Sequence, residues 1–139
     1  MADDSGLEVA ALDWGPGARS ARHGGAEVED RAALILAMLD GVEDRRARMV
    51  CWLGLAIPRT APDGTPRSPR VELFSGVMEG TIASEMRGTG GFGYDPIFQL
   101  PSGKTTAELP EGAKDAISHR GRAVESALPR LRELLGARP

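Results

Sequence analysis

A chain of 139 residues is one domain by length, and at this size it can bury about two-thirds of its unfolded surface without a disulfide or metal staple. Hydrophobic residues make up 41% and charged residues 27%, ordinary for a globular protein. The formal net charge of −3 excludes a global basic field that would gather nucleic acid, and the longest strongly apolar run, 50–57, is far too short to span a bilayer.

The sequence opens on Ala-Asp-Asp-Ser-Gly-Leu at 2–7. Two carboxylates and a hydroxyl in a turn with glycine suit a hard cation such as Mg²⁺. A site this close to a free amino terminus is expected to fray. Val9 to Leu12 follows as a short apolar element, and Gly15-Pro16-Gly17 forces a turn. Gly24-Gly25 is a second break. Asp30 is the expected N-cap of a helix over Ala32 to Leu39, stopped by Gly41. That stretch is apolar on nearly all sides, which predicts a buried helix.

Arg48 to Ile57 reads as a strand closed by Pro58, and 58–70 as an exposed loop. Val71 to Leu73 and Val77 to Ile82 read as two strands, or one bent at Gly76. Residues 87–104 form a Gly/Pro-rich segment. Ser118 to Leu135 reads as a helix with Ala123, Leu128, Leu131, Leu134 and Leu135 on its apolar stripe, kinked or split at Pro129 and ended by Gly136. Strands with helices at both ends point to an α/β or α+β domain.

The one cysteine, Cys51, lies in the apolar run and reads as a buried, inert thiol. No basic stretch followed by an apolar one opens the sequence, and cytoplasm is the expected compartment. His23 has no acidic or cysteine partner at metal-ligand spacing and reads as a surface or turn residue. Arg19 and Arg22 are loop charges or face a phosphate. Of 17 basic residues only Lys104 and Lys114 are lysine.

Gly88-Thr89-Gly90-Gly91-Phe92-Gly93 satisfies G-x-G-x-x-G. A dinucleotide loop would open a helix there, and Pro96 disfavours helix through Asp95. A flexible backbone loop close to a ligand fits better, with aromatic faces and one carboxylate over 92–98 beside it. A turn packed on an aromatic core is the competing reading. Ser118 is the expected N-cap of the last helix, which places His119 and Arg120 in its first turn. Cations there oppose the helix dipole, and an anionic ligand is one reason to accept that. A solvated first turn is the alternative. Lys114 lies four residues upstream and can converge on the same spot.

The order of these motifs is more specific than any one of them. Ala-Asp-Asp-Ser-Gly-Leu at 2–7, Pro-Gly-x-x-Ser-Ala-Arg at 16–22, the Gly-Thr-Gly-Gly-Phe-Gly-Tyr-Asp-Pro-Ile-Phe run at 88–98, Ala-Glu-Leu at 107–109, then Lys114 and Ser-His-Arg-Gly at 118–121 cover essentially the whole chain. In this the sequence resembles the inosine/xanthosine triphosphate pyrophosphatase family. The resemblance implies a Mg²⁺-dependent hydrolase that cleaves dITP, ITP or XTP between the α and β phosphates. It implies an elongated two-lobed α/β fold with a mixed twisted sheet and flanking helices, and a homodimer. By position it makes Asp4 the proton acceptor and metal-linked carboxylate. Ser5, Phe92, Gly93, Tyr94, Asp95, Lys114, His119 and Arg120 match its substrate-binding residues.

Phe92 can stack on a purine, and His119 with Arg120 can donate to a 6-oxo group. Adenine carries an amino donor at that position. Nothing in these residues accounts for the exclusion of guanine. The family's Thr-x-Asn-x-x-Lys phosphate loop, and the helix with a metal-binding Glu that precedes the acidic motif, are not in this sequence, which contains no asparagine. The resulting expectation is a single, N-terminally truncated domain over 1–139 with weak or no turnover. The alternative is a non-catalytic remnant that binds purine nucleotides.

Overall fold

A computed structural model of the chain describes residues 1–19 and 28–136. In order the elements are β1 (Ala2–Val9), a 3₁₀ turn (Ala10–Leu12), β2 (Gly15–Gly17), α1 (Val28–Met38), β3 (Arg46–Thr60), β4 (Pro66–Ile82), β5 (Phe98–Gln99), a second 3₁₀ turn (Thr106–Glu108) and α2 (His119–Leu134). The strands form one sheet in the order β2-β1-β3-β4-β5, with every pairing antiparallel.

The α/β expectation holds, with several boundaries moved and with the described sheet antiparallel throughout rather than mixed. The acidic motif is a strand and not a turn: Ala2 to Val9 pair residue by residue with Gly54 to Ala47 of β3. The loop expected over 58–70 shrinks to a tight turn, because β3 runs to Thr60 and β4 begins at Pro66. Prolines 58, 66 and 69 suggested a loop from the sequence. A bulge between Ile57 and Arg59 absorbs the irregularity near Pro58. Val71 to Leu73 and Val77 to Ile82 belong to one continuous strand. The first helix begins at Val28, so Asp30 lies inside it and does not cap it. Pro129 does not split α2, which runs unbroken to Leu134. Burial of Ala123 and Ala127 against Cys51 and Leu53 holds the helix together across the missing N–H. Arg22, His23 and Gly24-Gly25 lie outside the described residues.

Side chains alternate across a strand. Leu7 and Val9 of β1, Ala47 and Met49 of β3, and Met78 and Ile82 of β4 therefore face one way, packing with Ala32, Ile35 and Leu39 of α1. Cys51 and Leu53, further along that face, receive α2. Both helices cover this face, and the opposite one leaves Trp52, Val71 and Leu73 exposed. No described helix is long and apolar enough to cross a membrane.

Candidate active site

One helix cap, one close helix–sheet contact and one glycine-rich loop place the site. Ser118 caps α2 as expected, its Oγ accepting the Gly121 N–H at 3.0 Å. The helix then lies hard against the sheet at Gly76, where a Cβ would overlap the His119 carbonyl and the Ala123 amide. His119 thereby comes to line the same cavity as Ser5 of the covered face. The glycine-rich loop turns back on itself through Gly88, Gly91 and Gly93, all at positive φ. At Gly91 a Cβ would overlap the Asp95 carboxylate.

These segments enclose a cavity of about 240 Å³. Its wall contains every site residue expected from the sequence: Asp4, Ser5, Phe92, Gly93, Tyr94, Asp95, Lys114, His119 and Arg120. The exposed Phe92 ring projects at its mouth. Lys114 Nζ lies 4.8 Å and Arg120 Cζ 5.8 Å from the centre of that ring. Arg120 Nε also donates to Asp3 Oδ2 at 2.9 Å. Lys114 Nζ meets Asp95 Oδ2 at 2.5 Å. Among the described residues the buried His119 Nδ1 of the wall lacks a hydrogen-bond partner, as does Ser5 Oγ apart from the neighbouring Cys51 thiol. A desolvated polar atom of this kind costs about 1–3 kcal/mol, and a site that takes a polar ligand is one place where that cost is tolerated.

Burial pushes the His119 imidazole down to about 4, reinforced by Arg120 and Lys114 and opposed by Asp95 and Asp3. The ring is therefore neutral at pH 7. Burial also raises the Tyr94 phenol, with Arg31 pulling the other way. It raises the Cys51 thiol as well, in keeping with an inert buried cysteine.

The two adjacent carboxylates part company. Strand alternation puts Asp3 and Ser5 on the covered face, and Asp3 is the one that meets Arg120. Asp4, opposite Trp52 in register, sits at the strand edge of the cavity. It also borders a second recess of about 130 Å³ on the other face, with Glu8, Val50 and Trp52. Among the described residues no group of three or more His, Cys, Asp or Glu side chains could hold a metal. Mg²⁺ commonly takes only one or two protein carboxylates and fills its shell with water and substrate phosphates. The exposed Asp4 carboxylate alone fits such a sparse oxygen set, since Asp3 points to the other face and is held by Arg120.

The sequence reading took Asp3 only as one of two carboxylates for a cation, not as the partner of Arg120, and it missed Arg31 and the apolar floor of Leu7 and Met49; all of these line the cavity. Arg31 carried a usable signal. It lies four residues before Ile35 and eight before Leu39, so it continues the buried stripe of an otherwise apolar helix. A cation on that stripe calls for an explanation.

Comparison with known proteins places the chain in a family. A dITP/XTP pyrophosphatase of Syntrophobacter fumaroxidans is 49% identical over 127 residues, covering 89% of this chain and 51% of that protein. One from Exiguobacterium sibiricum is 48% identical over 141 residues, covering 98% and 67%. The chain thus spans about half to two-thirds of the length of these curated relatives. Among solved structures, a HAM1 protein from Coxiella burnetii superposes with a TM-score of 0.82 at 42% identity, covering 95% of this chain and 66% of that one. The Staphylococcus aureus Ham1 protein gives 0.80 at 39%, covering 94% and 65%. The model of the Ham1 family matches residues 1–130, and the chain belongs to that family.

Proposed function

We propose that this chain hydrolyses non-canonical purine nucleoside triphosphates, dITP, ITP and XTP, to the monophosphate and pyrophosphate. The reading includes Mg²⁺ dependence, a homodimer and action on the cytoplasmic nucleotide pool. The observation that carries it is the convergence of Phe92, Lys114, His119 and Arg120 with the Asp3-Asp4-Ser5 strand on one cavity. The exposed apolar residues Trp52, Val71 and Leu73 support the dimer.

In this reading the purine stacks on Phe92. Neutral His119 and the Arg120 guanidinium donate to its 6-oxo group. Adenine would set its amino donor against those donors, and a site left with unpaired buried donors rejects such an analogue strongly. Lys114 neutralises phosphate charge. Asp4 accepts a proton from the water that attacks the α-phosphorus. The bond from that phosphorus to the α–β bridging oxygen breaks, and pyrophosphate leaves with the bridging oxygen. Bound Mg²⁺ at Asp4 would supply further charge neutralisation.

A second reading is nucleotide binding with little turnover. It is favoured by Asp4 lying at the cavity edge, on the strand face opposite to Ser5. Assay of pyrophosphate release, with binding of IMP measured on the same protein, separates the two. Release above background supports hydrolysis, IMP binding without release supports the second reading, and neither result supports neither.

A further inference from the structure

One carboxylate ties the aromatic loop to the cationic segment. Asp95 is 1% exposed. Its Oδ2 accepts the Phe92 backbone N–H at 2.9 Å and the Lys114 ammonium at 2.5 Å. Its Oδ1 accepts the Thr106 hydroxyl at 2.8 Å. Thr106 Oγ1 also reaches the Asp95 carbonyl at 3.2 Å, and the Ala107 N–H donates to that same carbonyl at 3.2 Å. Gly91 packs so closely that any side chain there would overlap the carboxylate. A carboxylate offers about four acceptor sites, and here three are filled from within the protein.

We infer that Asp95 is a positioning residue: it fixes the Phe92 backbone and the Lys114 ammonium in the cavity wall, and it does not itself contact the purine. Thr106, 3% exposed and outside the cavity lining, orients Asp95 from behind. The inference rests on the nucleotide reading of the cavity. The competing role is direct, a carboxylate accepting the N1–H of a 6-oxo purine. The two roles differ in what they do to Lys114 and to base preference.

The composition provides a readout that needs no ligand. Lys104 and Lys114 are the only lysines, and Lys104 is exposed, so it serves as an internal standard. Acetic anhydride labelling, read by peptide mass spectrometry, gives the Lys114 to Lys104 ratio. Asp95→Asn should raise that ratio about tenfold, the effect of losing one charge-assisted hydrogen bond. Thr106→Val, which leaves the cavity wall intact, should raise it by a smaller factor, and Thr106→Ser should leave it unchanged. This pair keeps the inference falsifiable if Asp95→Asn does not fold.

Calorimetry with IMP and AMP supplies the second arm. Asp95→Asn and Thr106→Val should both weaken IMP, with no gain for AMP. Unchanged Lys114 labelling in Asp95→Asn overturns the inference. So does a shift of preference from IMP to AMP in Asp95→Asn with Thr106→Val silent, because that is the behaviour of a residue that reads the base. If the unaltered chain binds neither nucleotide, the functional reading fails, while the labelling ratio still decides whether Asp95 holds Lys114.

Discussion

Gly76 lies directly beneath the first turn of α2, so close that a Cβ there would overlap the His119 carbonyl and the Ala123 amide. The helix can settle on the sheet, and His119 can reach the cavity, only because position 76 has no side chain. Gly76→Ala must push α2 outward or distort it. Overpacking of this kind costs about 1–3 kcal/mol, and rigid backbone on both sides argues for the upper part of that range. Urea denaturation should show the loss, and calorimetry should show weaker IMP binding, since His119 and Arg120 move with the helix.

Phe92 should separate binding from stability. Its ring is exposed and holds no core together. Phe92→Ala should leave unfolding free energy within about 0.5 kcal/mol of the parent, as surface changes do. A base stacked on an aromatic ring is worth about 1–3 kcal/mol, so IMP affinity should fall roughly ten- to a hundredfold. Phe92→Trp should retain it.

His119 makes stability depend on pH in a window of its own. Its pKa is about 4 in the folded chain, against about 6.5 unfolded. Between those values the unfolded state binds a proton that the folded state refuses, so stability falls as pH falls. From pH 7 to pH 4.5 the loss should reach about 2–3 kcal/mol at 1.36 kcal/mol per pKa unit. Hydrogen bonds from Arg46, Thr65 and Arg130 lower the Asp44, Asp63 and Glu72 carboxyls from their ordinary values, so their contribution begins to fall near pH 5 and is common to parent and variant. Denaturation curves across this window should slope less for His119→Gln than for the parent by that amount.

The paired aspartates should behave differently. Asp4→Asn should cut pyrophosphate release by about 10²–10⁴-fold, the usual worth of a positioned general base, with IMP binding preserved. Asp3→Asn breaks a half-exposed ion pair with Arg120, worth at most about 1 kcal/mol. It should act on IMP affinity through Arg120. Steady-state kinetics and calorimetry on the two variants test this division.

Much of the candidate site was legible in the sequence, because local signals marked its segments and their order, through the resemblance it carries, tied them together. Ser118 is a cap, Lys114 and His119-Arg120 flank that cap, and Gly88 to Asp95 is a loop that only glycine can form. What escaped was set by tertiary pairing. Asp3-Asp4-Ser5-Gly6 has poor strand propensity and becomes a strand only against β3. With that segment read as a turn, the alternation that separates Asp3 from Asp4 was invisible. The long β3–β4 hairpin was hidden by prolines that a bulge and the hairpin end tolerate. Helical spacing puts Arg31 on the buried stripe of α1, but which strands that stripe packs on, and so which cavity Arg31 joins, is set by the tertiary fold.

The most direct test is pyrophosphate release by the 139-residue chain in Mg²⁺, with dITP, XTP and dATP compared at equal concentration. Turnover is expected to be weak, and the account requires that what is released from dITP and XTP be pyrophosphate and monophosphate in equal amounts, at about a hundredfold or more above dATP. Orthophosphate as the product, or equal rates on dITP and dATP, would contradict it.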